Sequence, residues 1–153
     1  MISSPLDFYK LLKSEFPFTP TSIQDHLLNK LSAYIFDNDK NTIFLLKGYA
    51  GTGKTTTMST LVNNMWQVGM KSVLLAPTGR AAKVISNYSK KKAFTIHKKI
   101  YHPRKASNGG ISFTLQQNKH TNTIFIIDEA SMIPDNAGNV KFSDQASLLD
   151  DLI

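Results

Sequence analysis

The stretch GYAGTGKTT, residues 48–56, decides how the rest of the chain is read. It satisfies G-x-x-x-x-G-K-[ST], with the apolar run 42–47 directly before it and a helix-periodic segment from Lys54 directly after it. Small residues at these positions let backbone N–H groups turn inward around phosphate oxygens at a helix N-terminus, where the helix dipole adds positive potential. The candidate nucleotide-binding residues are Gly48, Ala50, Gly51, Thr52, Gly53, Lys54, Thr55 and Thr56. In this pattern the lysine brings a point charge to the β- and γ-phosphates of ATP, and the following hydroxyl, that of Thr55, faces Mg²⁺.

Outward from this loop, buried strands are expected at residues 42–47, 72–76 and 123–127, each a short apolar run. Helices are expected between them. Ser4 and Pro5 open a first helix that stops before Pro17, as an N-cap followed by proline should. Ile23, Leu27, Leu28, Leu31, Tyr34 and Ile35 recur at helical spacing from about Thr21. A third helix is expected over 54–67, with Met58, Leu61, Val62, Met65 and Trp66 on its apolar side and Gly69 closing it, and a fourth over 80–88. A basic irregular stretch and a hairpin around Asn108-Gly109-Gly110 precede the third strand. Apolar strands separated by helices imply an α/β fold, a parallel sheet covered on both faces.

The third strand ends in IFIIDEA, residues 124–130, so two carboxylates stand at its carboxyl end, where doubly wound sheets bind ligands. Asp128 in this place can hold Mg²⁺, and Glu129 can orient and deprotonate a water that attacks the γ-phosphate. Lys54, Asp128 and Glu129 are therefore the candidate catalytic residues, and Thr55 and Asp128 the candidate metal ligands. An Asp-Glu pair after a strand also serves as a plain helix cap; the preceding loop favours the catalytic role.

At 153 residues the chain has the length of one ordinary domain, and 41% hydrophobic residues suffice to close a core. With no cysteine, disulfides, thiolate metal sites and thiol nucleophiles are excluded. The longest apolar runs are four residues, against about 18 for a membrane span, and the start lacks a basic leader, so a cytoplasmic, membrane-free protein is the expectation. The net charge of +7 is unevenly divided: no Asp or Glu occurs over 40–127, which carries +14, against −2 and −5 on the two flanks. A cationic block of this kind suits a polyanion, nucleic acid or nucleotide phosphates, or is a solvated lysine face.

Four signatures in order resemble the first motor domain of superfamily 1 DNA helicases, the 5′ to 3′ branch that includes RecD-like exonuclease V alpha subunits. TPTSIQDHLL (19–28) is similar to the motif whose glutamine, here Gln24, contacts adenine in that family; GYAGTGKTT matches motif I, APTGRAAKVIS (76–86) motif Ia and IIDEASMI (126–133) motif II. TIHKKIY (95–101) is similar to the family's short threonine–histidine motif along the single strand. The resemblance implies a three-layer RecA-like P-loop NTPase domain, ATP-driven translocation on single-stranded DNA with duplex unwinding, and association with other subunits of a helicase–nuclease complex. It also implies a small hairpin insertion at about 101–120. The family's motif III and later motifs have no counterpart before Ile153, so residues 1–153 correspond to the N-terminal part of motor domain 1A, truncated before the motif III strand and without the second motor domain.

In the motif Ia segment, free N–H groups and the Thr78 hydroxyl can hold a nucleic-acid phosphate, or form a simple capping turn. The nucleic-acid candidates are Pro77, Thr78, Gly79, Arg80, Lys83, Thr95 and His97, with Phe94, Tyr101 and Phe113 as stacking platforms. In the family's sheet order the motif III strand lies between those of motifs I and II, so residues 42–47 and 123–127 are expected to flank a gap. The two strands then collapse together, the segment 146–153 fills the slot, or the domain is only marginally stable. Two functional classes stay open, a DNA-translocating ATPase and a nucleotide- and DNA-binding module without turnover. A P-loop kinase or GTPase is the third reading, disfavoured because the guanine-reading Asn-Lys-x-Asp string is absent.

Overall fold

The structure, a computed structural model, describes residues 1–39, 42–105, 109–134 and 147–153. The expected turn at Asn108 and the residue Ala146 lie outside these. The chain divides into two compact units, Met1–Ser72 and Val73–Ile153.

In the first unit, α1 (Pro5–Ser14) begins where the Ser4 hydroxyl accepts from the Asp7 N–H, with proline at the first turn. Helix α2 (Ser22–Ile35) opens on a capping box: Thr21 Oγ accepts from the Gln24 N–H, and the Gln24 side chain accepts from the Thr21 N–H. The two helices pack together, and Phe8, Leu12, Leu28, Leu31 and Ile35 are buried. Tyr9 donates to Asp25 and Lys13 pairs with the same carboxylate at 2.8 Å, tying the helices outside the core. Helix α3 (Lys54–Asn64) buries Leu61 and Val62, tightens into a 3₁₀ turn (Met65–Val68) and ends at Gly69, whose φ of +69° needs no Cβ there. Ile23 and Trp66, expected on apolar helix faces, are exposed.

Residues 42–47, expected as a buried strand, belong to no strand. Ile43 and Leu45 are 68% and 65% exposed, although Phe44 stacks obliquely on Tyr34 and the Tyr34 hydroxyl holds the Thr42 carbonyl. The physical reason is pairing: an apolar run becomes a sheet strand only where a neighbour satisfies its ladder, and among the described residues it is paired with no strand.

The second unit is built on a three-stranded parallel sheet in the order β2–β1–β5, formed by β1 (Lys71–Ala76), β2 (Ala93–Thr95) and β5 (Thr123–Ile127). The middle strand is buried on alternate sides: Leu75 joins a core with Ile96, Tyr101 and Leu148, while Leu74 and Ala76 are buried on the opposite face. Helix α4 (Gly79–Ser89) connects β1 to β2 and buries Ala82 and Ile85, and α5 (Ile96–Ile100) follows β2 directly. A separate antiparallel hairpin pairs β3 (Tyr101–Lys105) with β4 (Ile111–Leu115), Tyr101 facing Leu115 and Lys105 facing Ile111. The segment expected to fill a slot in the sheet instead forms a short helix, α6 (Leu148–Leu152), packed on α5. Thr123–Ile127 pairs with β1 as an edge strand of this sheet. Among the described residues no helix is long and apolar enough to cross a membrane.

Candidate functional site

The phosphate loop lies in the first unit, between the extended segment 42–47 and α3. Gly51 and Gly53 take φ of +78° and +87°, a left-handed backbone that costs a residue with a Cβ about 1–2 kcal/mol. A Cβ on Gly48 would stand 2.9 Å from Thr52 Oγ1, and one on Gly53 would stand 2.6 Å from Gln24 Nε2. Close approach thus favours glycine at 48, the left-handed φ favours it at 51, and both apply at 53. Thr52 folds the loop on itself, its hydroxyl donating to the Tyr49 carbonyl at 2.8 Å.

Lys54 opens α3, and its ammonium donates to the carbonyls of Gly48 at 2.6 Å and Tyr49 at 2.8 Å. The charge thus sits against the loop at the positive end of a helix, where an anion is stabilised twice over. Thr55 and Thr56 occupy the first turn of α3, and Ala50 lies in the exposed tip. Gln24 meets the loop too: its Nε2 donates to the Thr52 carbonyl at 3.2 Å while its Oε1 accepts from the Thr21 N–H at 3.0 Å. The sequence pattern marked Lys54 but not the role of the Tyr49 carbonyl, since any residue supplies one. Glycine close approach, left-handed loop geometry and a lysine aimed inward fit a nucleoside triphosphate.

The carboxylates lie in the second unit. The Asp128 N–H extends the β1–β5 ladder to the Leu75 carbonyl at 3.0 Å, and its side chain accepts from the Glu129 N–H at 3.0 Å. Glu129 has φ +55°, the left-handed region, and is exposed. For glutamate that conformation is strained, and the residue follows the carboxyl end of a parallel strand. Thr55 belongs to the first unit and Asp128 to the second.

Ala76 pairs with Thr95 across the β1–β2 ladder, so the threonine caps of α4 and α5 follow the ends of adjacent parallel strands. Thr78 Oγ1 accepts from the Ala81 N–H at 3.2 Å, and Thr95 Oγ1 from the Lys98 N–H at 3.3 Å. Pro77 precedes the first cap, and Gly79, Arg80 and Lys83 stand exposed on the first turns of α4. His97 lies on α5 beside the Tyr101 ring at 6.0 Å, and burial holds its imidazole below the ordinary value.

One of the three expected stacking platforms is corrected. Tyr101 is only 4% exposed; its hydroxyl donates to Asp151, and burial together with that carboxylate pushes its pKa well up. Phe94 packs on the core, with the ammonium groups of Lys92 and Lys99 at 5.1 and 5.6 Å from its ring centre. Phe113, on the hairpin, remains open to solvent. Sequence reasoning missed the burial of Tyr101 because it opens the short strand β3, whose other residues are exposed and give no apolar pattern.

A family model described as an AAA domain matches residues 33–142, and the chain belongs to this family. The matched residues contain the loop, the motif Ia turn and the carboxylate pair. The chain is also similar to an uncharacterized protein of Methanocaldococcus jannaschii, 36% identical over 105 residues, which cover 61% of this chain and 9% of that protein. The chain thus spans about a tenth of the length of the curated relative it matches. No solved structure matches it.

Proposed function

We propose, with the AAA-type P-loop domain as premise, that the chain binds ATP with Mg²⁺ at residues 48–56 and hydrolyses it, and that hydrolysis drives translocation on single-stranded DNA and unwinding of duplex. The observation that carries the nucleotide reading is the pair of left-handed glycines leading into α3, with Lys54 drawn onto the loop's own carbonyls. When bound, Mg²⁺ supplies neutralisation of charge on the β- and γ-phosphates. Thr55 and Asp128 would hold it. Lys54 exchanges the Gly48 and Tyr49 carbonyls for phosphate oxygens. Glu129 orients water, whose oxygen bonds to the γ-phosphorus as the bond to the bridging oxygen breaks, and the carboxylate takes the proton.

The DNA side of the proposal rests on the resemblance and on charge. Pro77, Thr78, Gly79, Arg80, Lys83, Thr95 and His97 would follow the strand's phosphates, and further subunits of a helicase–nuclease complex would be partners. ATP turnover measured with and without single-stranded DNA tests it. Stimulation by the strand, lost in Lys54→Ala and Glu129→Gln, is the expected result; turnover indifferent to DNA would remove the motor reading.

A second reading, a nucleotide- and DNA-binding module without turnover, is favoured by one observation. The segment that should anchor the phosphate loop in a sheet, residues 42–47, belongs to no strand. Nucleotide binding without measurable hydrolysis, in a chain whose Glu129→Gln variant behaves identically, would select it.

A further inference from the structure

The geometry points to Gln24 as a positioning residue for the phosphate loop, acting alike on every nucleoside triphosphate whatever its base. This rests on the nucleotide-binding reading of residues 48–56 and adds how that loop is held. Gln24 is the third residue of α2, and its side chain is locked by the capping box: Oε1 accepts from the Thr21 N–H at 3.0 Å. The other end of the amide, Nε2, donates to the Thr52 carbonyl at 3.2 Å. Each partner needs the atom it receives, an acceptor for an N–H and a donor for a carbonyl, so the orientation of the amide is fixed by its two contacts.

The consequence for the loop follows from the planarity of the peptide. In a trans peptide the carbonyl and the next N–H point in opposite directions. Holding the Thr52 carbonyl against Gln24 sends the Gly53 N–H away from α2, so one glutamine sets the direction of a donor immediately before Lys54. Gly53 is the residue that allows the amide so close, since a Cβ there would lie 2.6 Å from Nε2. The rest of the loop is held by its own groups, Thr52 Oγ1 on the Tyr49 carbonyl and Lys54 on those of Gly48 and Tyr49. Gln24 is the tie to a different helix, and it spans 28 residues of sequence.

Gln24→Glu isolates this tie. Glutamate serves a capping box as well as glutamine, so the Thr21 contact and α2 are kept, while the carboxylate presents no donor to the Thr52 carbonyl. Binding of ATP, GTP and inorganic tripolyphosphate, each with Mg²⁺, is measured by calorimetry on the full chain alongside a thermal melt. All three ligands should weaken by the same factor, about tenfold for a lost hydrogen bond with an opposed carbonyl, at an unchanged melting midpoint. Lowering the pH to protonate the introduced carboxyl restores a donor, so the ratio of variant to wild-type affinity should recover for all three.

A loss confined to ATP would make Gln24 a reader of adenine and overturn the inference, as would no change in any ligand. A loss that low pH fails to recover, or one accompanied by a lowered midpoint, would assign Gln24 to the stability of α2 and overturn it equally. Failure of the wild-type chain to bind any of the three would instead remove the nucleotide-binding reading itself, and this inference with it.

Discussion

Lys54 bridges two carbonyls of its own loop, which places its charge where phosphate oxygens would replace them. It lies outside the buried core, so Lys54→Ala should abolish detectable ATP binding and leave the melting midpoint within a few degrees of wild type; equal affinity in the variant would sink the phosphate-loop reading. Glu129 combines a proposed chemical role with a backbone cost. At φ +55° a glutamate carries strain of about 1–2 kcal/mol that glycine does not. Glu129→Gly should therefore stabilise the chain by up to about 1 kcal/mol in denaturant melts while removing hydrolysis, whereas Glu129→Gln removes hydrolysis alone. Destabilisation by the glycine would refute the strain argument. The motif disclosed both side chains, but not this strain, because a residue's type does not declare its φ. Gln24 was equally half-visible: its capping-box spacing is a local pattern, whereas its hold on Thr52 depends on how two distant segments meet.

At the scale of the element, the same threonine can cap a helix and touch a phosphate, and the two roles separate by substitution. Thr78 caps α4 through the Ala81 N–H. Aspartate caps as well as threonine does, but brings a negative charge to the turn. Thr78→Asp should keep the melting midpoint and lose single-stranded DNA binding at low salt by tenfold or more, while Thr78→Ala should cost about 1 kcal/mol of stability. Undiminished DNA binding in the aspartate variant would leave Thr78 as a cap only. Elements with strong local signals were legible: the Ser4 cap, the Gly69 stop and the strand Thr123–Ile127 stand where apolar runs, caps and glycine place them. Those set by partners were not. Residues 42–47 read as a strand because four consecutive apolar residues predict burial in any sheet, yet apolarity does not reveal whether a neighbour exists to pair with. Conversely, Ala93–Thr95 is too short to announce itself and becomes a strand only because Leu74, Leu75 and Ala76 lie alongside.

For the whole molecule, charge and pairing decide how much of the proposed activity the chain can express. The acid-free stretch 40–127 should give DNA binding that is weak and steeply salt-dependent, with a slope of about 0.7 per phosphate neutralised on a single strand; binding that ignores salt would argue for a solvated lysine face. Pairing makes a sharper prediction. Leu75 is fully buried in the central strand of the sheet, whereas Leu45, in an equally apolar run, is largely exposed and outside any strand. Leu75→Ala should therefore cost about 2–5 kcal/mol, and Leu45→Ser under about 0.5 kcal/mol, although composition alone would rank them alike. Hydrogen exchange reads the same difference without mutation: the amides of 43–47 should exchange orders of magnitude faster than those of Leu74 to Ala76, because exchange protection follows stable pairing. The phosphate loop begins where this segment ends, so turnover is expected to be low even with every loop residue intact. Strong protection of 43–47, or a large cost for Leu45→Ser, would show the segment paired in solution and would favour the DNA-translocating ATPase over the module without turnover.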